Sequence, residues 1–563
     1  MIPAGPTFTT VPPRSSAGDF LGMGAVGERL YGGVFTGLNN AARHIRPYAA
    51  ICWMVDTLQQ RAFVDGKGNV GKLRKETELG IWKIQLLLNW VAKLDGLQGY
   101  PGTDRFENDP DEVELRKETW PSIKVSFWDT AWYKPSLLNG LRFLNEGTKQ
   151  YHGTYSCTDA GLALAKAYEE EVQKLEPAVA RWLADPHELT CTKKLLQKLR
   201  PVLALEAPSR GEQNAFMRQY FAAEFGKLSE DGKHRRKGLM LALRTMAALE
   251  EEEADTTVEA IRHAMAAGCT PGGAPIDDSG LERTRLQWAV LQVRALQRLA
   301  METLLALAER HILLAEQTGA PRQKEHIADV IAAYLNKPTE DNLVFETIQE
   351  NYEWAKTEQA DHKTLQAAGL TDDSEYLSIA ALKAKLRGTV GHDEQKWPNF
   401  ARQAIWTLIV CAIEAENLAK EKGAKQFLEW DAGKLSLEGL RQALNAYKDD
   451  STENFARYVV RHFVVVQHLN VATERSVAGL DDKQRFVFSP EQDGLTRYAE
   501  VGAARFVDAQ ESGDILFHAL LLLKNCGKLQ YIPVGEDRPA YLNRFYGTFT
   551  LKKAGRELLG EVI

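Results

Sequence analysis

The chain has no cysteine pair at metal or redox spacing. Its six cysteines, Cys52, Cys157, Cys191, Cys269, Cys411 and Cys526, are scattered. This excludes a zinc ribbon or a CxxC redox motif, and the apolar surroundings of residues such as Cys411 mark them as reduced and buried. Long hydrophobic runs are missing too. The longest uncharged stretches, such as Ala404 to Ile413, fall far short of the ~20 residues a membrane span requires. The opening residues carry no basic segment followed by an apolar one, so no signal peptide is expected and the expected location is the cytoplasm. Positive charge is not in excess: 69 Lys and Arg against 76 Asp and Glu give −7. A chain-wide polyanion-binding surface is therefore not expected, and any nucleic-acid contact has to come from a local basic patch.

Catalytic signatures are equally scarce. The 12 histidines include no HExxH, and no GxSxG elbow occurs. His462 and His468 are six residues apart, which places them on different faces of a helix. The triplet 392–394, His-Asp-Glu, sits in a polar turn, and Pro110-Asp111 lacks the following E-x-K of a nuclease core. Gly22 to Gly27 matches GxGxxG, but SSAGDF before it cannot be a buried strand, so a glycine-rich lead into a helix is expected. Gly66 to Lys72 nearly matches a phosphate-binding loop, but Leu73 stands where a magnesium-binding hydroxyl belongs and the segment before it reads as a helix. No catalytic, metal or cofactor-binding residue is expected.

With 44% hydrophobic and 26% charged residues in 563, the chain can build a sizeable core and divides into several domains. The expected order is an extended arm over 1–18, a helical domain over 19–115, a small module over 116–175, a helical body over 176–430, a mixed segment over 431–509 and a second small module over 510–563. The class is mainly α. Within 72–94 an apolar stripe of Leu79, Trp82, Leu86, Trp90 and Val91 has helical period, and 99–114 reads as a polar connection. A long helix over 280–317 is expected to start at a capping box, Ser279 to Glu282. Its stripe is Leu286, Val290, Val293, Leu296, Ala300, Leu304 and Leu307, and Gly319 and Pro321 end it. The four glutamates 250–253 read as a solvated helix face.

An internal repeat carries more information. Tyr151 to Leu164 matches Phe545 to Leu558 without a gap, pairing Ala160 with Ala554 and Gly161 with Gly555. Each copy follows an apolar helix: Ser136 to Glu146 in the first, Asp514 to Asn525 in the second. The expected order is helix, turn, aromatic hairpin and a glycine-containing helix start. This resembles the winged-helix family, which carries Y-x-L-T-x-x-G after its recognition helix. Thr158 fits the family's capping threonine, whereas Lys552 replaces it in the second copy. The basic residues Arg538, Arg544, Lys552, Lys553 and Arg556 gather around the second hairpin and are the expected nucleic-acid contacts.

One further constellation lies near the start. Arg29, Asn39, Asn40, Arg43 and Arg46 stand among Phe35, Tyr48 and Trp53, a set able to grip a phosphate or carboxylate or to pack a buried helix junction. The pattern of Leu21, Gly22, Glu28, Arg29, Phe35, Gly37, Arg43, Arg46, Tyr48 and Trp53 resembles that of poorly characterised bacterial proteins of antiphage defence islands. Thr36 replaces their usual proline. Leu286 to Ala308 and Val464 to Gly479 share the likeness. The resemblance implies a non-enzymatic scaffold or accessory subunit of an antiviral complex, with an ATPase, helicase or nuclease as protein partner and duplex DNA as a weak contact. The alternative is a winged-helix transcriptional regulator. A divergent enzyme with a site built from distant residues is the third class.

Overall fold

A computed structural model describes residues 19–39, 41–64, 69–97, 100, 102–106, 110–118, 128, 132–221, 229–337, 344–361, 374–387, 390–430, 434–477, 486–497, 506–509, 515–533 and 547–560. The protein is mainly helical with a few small two-stranded antiparallel sheets. The helices of the N-terminal half are α1 (Gly24–Val34), α2 (Arg46–Val64), α3 (Val70–Leu94), α4 (Asp159–Val172), α5 (Pro177–Ala184), α6 (Lys193–Leu203), α7 (Arg210–Tyr220), α8 (Glu230–Glu251) and α9 (Val258–Ala267). There follow α10 (Glu282–Thr318), α11 (Lys324–Ala333), α12 (Ile348–Asp361), α13 (Ile379–Leu386), α14 (Trp397–Ala419), α15 (Lys425–Leu428), α16 (Leu437–Ala446), α17 (Thr452–Val459), α18 (Gln467–Val477), α19 (Ile515–Asn525) and α20 (Lys553–Arg556). The strands are β1 (Glu112–Glu114), β2 (Leu144–Glu146), β3 (Tyr155–Cys157), β4 (Thr190–Thr192), β5 (Phe488–Glu491), β6 (Gly494–Arg497), β7 (Leu529–Ile532) and β8 (Thr548–Leu551), paired β1–β4, β2–β3, β5–β6 and β7–β8. Among the described residues no helix is long and apolar enough to cross a membrane. All six cysteines are free, with only Cys157 not fully buried.

The chain forms two compact units, each assembled from separate stretches. One comprises residues 1–30, 263–275 and 285–512. Its centre is α10, about 55 Å long at 1.5 Å per residue. The expected stripe is buried, but so are Gln292, Arg294, Gln297, Thr303 and Glu309 on its other faces. A helix buried on all sides has to pair its polar groups inside the protein. Thus Glu309 holds Arg497 Nε at 3.0 Å, and Arg310 donates to Gly391 O, Val507 O and Asp508. α14 lies against it, with Cys411 Sγ 3.7 Å from Val293 O, and α12, α13 and α16 pack on α14. α17 runs through a π-helical stretch, Val460–Val466, into α18. His462 lies in that stretch and His468 in α18. His468 Nε2 accepts from Val487 N at 2.9 Å, so Nδ1 is the donor to Phe20 O. His392 packs on Phe506 in an exposed turn.

The other unit comprises residues 31–262, 276–284 and 513–563. α2 packs on α3 and α4, and α4 on α7. Both copies of the repeat belong to this unit, and their hairpins close onto the following helix in the same register. In the first, a helical turn ending at Gly140 leads through Arg142, at φ 55°, into β2, and Leu144 pairs with Cys157. In the second, α19 leads through Gly527, at φ 70°, into β7, and Leu529 pairs with Leu551. Thr158 N donates to Phe143 O, and Lys552 N to Lys528 O, at 3.0 and 3.1 Å. Gly161 and Gly555 then lie in the first turn of the following helix. A Cβ on Gly161 would sit 2.0 Å from Phe143 O, and one on Gly555 2.3 Å from Lys528 O. The glycine is needed because the helix starts directly on the backbone of the hairpin. The copies part at the cap. Thr158 Oγ1 accepts from Gly161 N and α4 runs 14 residues, whereas Lys552 makes no side-chain cap and α20 stops after 4.

Several expectations need correction. Residues 144–146, expected in the helix of the first copy, form β2. The connection over 99–114 contains β1, whose Glu-Val-Glu pattern hides a strand with one buried residue, Val113. α10 starts at Glu282, three residues after Ser279, and Glu282 accepts from Gly280 N rather than closing a box with Ser279. Of the glutamates 250–253, which span the end of α8 at Glu251, the last three are exposed as expected, but Glu250 reaches the second copy, accepting from Leu551 N at 2.6 Å and pairing with Arg556. The apolar side chains of α19 from Leu516 to Leu523 are buried.

Gly161→Ala forces a Cβ into the carbonyl of Phe143 and is expected to destabilise the protein by about 1–3 kcal/mol. Gly211→Ala, whose Cβ would meet Ala167 Cβ at an ordinary 3.5 Å, is expected to be near neutral. Chemical denaturation of the two variants checks this. Equal stability would contradict the close helix–hairpin contact.

Candidate functional site

The segment from Gly37 to Tyr48 brings together most of the residues singled out near the start of the sequence, and both repeat copies attach to it. Asn39 Oδ1 accepts from Ala41 N and Ala42 N at 3.0 and 2.9 Å, and its Nδ2 donates to Trp132 O at 2.7 Å. Arg43, 8% exposed, stands 5.0 Å from the Trp132 ring centre. Arg46 opens α2 and is almost fully buried. Nη1 donates to Pro201 O at 3.2 Å, Nη2 to Ala207 O, and Nε pairs with Glu212 at 3.1 Å. Glu212 is fixed in turn by the capping box of α7, where it accepts from Ser209 N at 2.7 Å. Burial pushes the Glu212 carboxyl up, against the opposing pull of Arg46. Arg46 thus packs a buried helix junction. Arg29 is exposed on α1, in the other unit, 5.8 Å from the Trp430 ring. Asn40 lies outside the described residues.

The first repeat copy attaches through small groups. Tyr48 Oη donates to Ser136 Oγ at 2.9 Å, and Ser136 Oγ to Gly37 O at 3.2 Å. Gly37, at φ 82°, meets Gly140 backbone to backbone: a Cβ on Gly140 would come within 2.1 Å of Gly37 O. Further along α2, Gln59 Nε2 donates to Tyr155 O and Cys157 Sγ contacts Cys52 O. The second copy attaches to the same segment from another side. Asn525 Oδ1, at the end of α19, accepts from Ile45 N at 3.2 Å, and Tyr220 Oη donates to Ala519 O at 3.0 Å. Lys524 and His44 share Glu206 as a partner. Arg235 closes the assembly, donating to Thr36 O, Gln219 O and Tyr220 O at 2.8 to 2.9 Å.

Of the expected nucleic-acid contacts, Lys552 and Lys553 are exposed at the start of α20, and Arg556 is drawn to Glu250. Arg538 and Arg544 lie outside the described residues. Sequence reasoning missed Glu206, Glu212 and Asn525, which have no motif apart from the readable Ser209–Glu212 box. It also missed Lys83, fully buried on α3. Its ammonium donates to Trp182 O and Asp185 O at the end of α5, and burial pushes it down to about 7. Of the motif-like glycines, Gly22 sits in a turn at φ 68° ahead of α1, while 66–68 lie outside the described residues. Asn69 caps α3 after the helix α2, and no strand comes before it among the described residues. No group of three or more metal-ligating side chains comes together among the described residues.

No family model, no curated protein and no solved structure matches this chain.

The buried His44 imidazole is pushed down to about 4 by desolvation, against the pull of Glu206. The unfolded residue takes a proton near pH 6.5 and the folded one only near 4, so its contribution to stability is complete above 6.5. As pH falls from 6.5 to 4 that contribution is lost, by at most ~1.4 kcal/mol per pH unit. His44→Gln is expected to flatten this part of the pH–stability curve. A curve that keeps the wild-type slope in the variant would contradict the assignment.

Proposed function

We propose that this chain is a non-enzymatic scaffold or accessory subunit of a bacterial antiviral complex, in which the two repeat copies act as winged-helix-like contact modules. The observation that carries the reading is their common attachment. Both copies are bonded to the segment 37–48, one through Tyr48, Ser136 and Gly37, the other through Asn525 and Ile45. Elements fixed in this way are presented rigidly, as a scaffold requires. The arginines nearest to a ligand-binding pattern also serve this attachment, since Arg46 is committed to Glu212 and to two carbonyls. The antiviral setting rests on the resemblance of the N-terminal pattern, a fold-level analogy. Its partner is a protein, an ATPase, helicase or nuclease of the same system.

Weak duplex contact falls to Lys552 and Lys553, which are free of the ion pair that holds Arg556. A regulator would have to read base edges through an exposed helix. That alternative has less support, because α19 is buried from Leu516 to Leu523.

Two measurements test the reading. Tagged full-length chain isolated from its native host is expected to carry an ATPase, helicase or nuclease in fixed stoichiometry, and isolation without one overturns the subunit assignment. Duplex DNA is expected to bind weakly, with affinity falling by roughly 0.9 log units per phosphate contact for each tenfold rise in salt, and Lys552→Glu/Lys553→Glu is expected to weaken it further. Tight, sequence-specific binding untouched by that variant would favour the regulator.

A further inference from the structure

In the unit built around α10, three helices line a groove of about 390 Å³, within the roughly 300–1,000 Å³ of small-ligand sites. Ile348 of α12, Ala412 of α14 and Leu444 of α16 are buried and form its apolar floor. The walls are polar, and helical spacing brings them to the same faces as the floor. Tyr352 and Lys356 follow Ile348 by one and two turns, Glu416 follows Ala412 by one turn, and Arg441 and Asn445 flank Leu444. Lys448 lines the groove from the turn after α16.

Most of these groups hold one another. Tyr352 Oη donates to Glu416, tying α12 to α14, and Lys356 Nζ stands 4.2 Å from the Tyr352 ring centre. Burial and the bond to Glu416 push the phenol up, so it stays a donor. The Arg441 guanidinium is held by both oxygens of Glu438, at 2.9 and 2.6 Å. Glu438 stands outside the lining, where Glu416 is the one acid against three cations. These two carboxylates answer Lys356 and Arg441, and Lys448 is left over. Among the described residues its side chain makes no ion pair or hydrogen bond, not even with Asp449 or Asp450 beside it. The side-chain amide of Asn445 is likewise without a partner. Lys448 N donates to Asn445 O at 3.3 Å, which sets the two side chains one turn apart. The groove therefore carries one unmatched positive charge next to an idle amide donor, at the edge of an apolar floor.

We propose that this groove binds a small organic carboxylate, with the carboxylate at Lys448 and Asn445 and an apolar body over Ile348, Ala412 and Leu444. An apolar floor with a few placed polar groups is the composition of small-ligand sites. One negative charge completes the balance, so a monoanion suits the groove better than a phosphate dianion. A carboxylate accepting from an ammonium makes a charge-assisted bond, about twice as strong as a neutral one, and a neutral ligand of the same shape forgoes it. The inference is independent of the subunit reading above.

Fluorine NMR of para-fluorobenzoate titrated with the full chain tests it, with para-fluorobenzamide as the uncharged isostere. The carboxylate is expected to bind saturably and about tenfold more tightly than the amide. Lys448→Met is expected to weaken carboxylate binding about tenfold, and Lys448→Arg to retain it. Lys420→Met, which removes an exposed cation outside the lining, is expected to change nothing. Inorganic phosphate, which has no apolar body, is expected to compete poorly. Lys448 and Lys420 are exposed, and unchanged melting temperatures confirm that the variants fold. Absence of saturable binding, equal binding of the amide, effective competition by phosphate, or binding indifferent to Lys448→Met would each overturn the proposal.

Discussion

The buried ion pair between Arg46 and Glu212 is the contact on which the unit carrying both repeats depends. Two charges taken out of water cost several kcal/mol each, and their attraction alone does not offset that. Here backbone groups add to the ion pair on both sides. Arg46 takes carbonyls from Pro201 and Ala207, while Glu212 takes the amide of Ser209. The pair therefore fixes the first turn of α2 to the end of α6 and the start of α7. That first turn is also where both repeat copies are attached, through Tyr48 on one side and Ile45 on the other. Geometry at one helix start is thus passed on to two separate hairpins.

Much of this fold was legible where local chemistry and tertiary packing agree. The glycine shared by the two copies is needed because each following helix starts on the backbone of its hairpin, and this left a gapless match in the sequence. The apolar stripe of the long helix was legible for the same reason. The parts that were hidden have physical causes. β1 shows a single buried side chain between two glutamates, so its pattern looks like a loop. β2 sits in a run that is apolar enough for a helix, and only pairing with β3 sets it apart. The two compact units are each discontinuous in sequence, which no linear reading displays.

The candidate site was half legible. Arg43 and Arg46 drew attention because arginine beside asparagine and aromatics suits both an anion site and a packed junction. Which it is depends on partners as distant as Pro201, Ala207 and Glu212, and no spacing rule connects them to Arg46. The exposed groups tell the complementary story. Lys552 and Lys553 face solvent, while Arg43, Arg46 and Arg235 are buried.

The most direct test is a double-mutant cycle on Arg46 and Glu212, read by equilibrium unfolding. Arg46→Met and Glu212→Leu each strand a buried charge and should cost about 3–5 kcal/mol. The double variant should cost much less than their sum, because it removes both charges at once. Two single costs below about 0.5 kcal/mol that simply add would show that the pair does not hold the unit together.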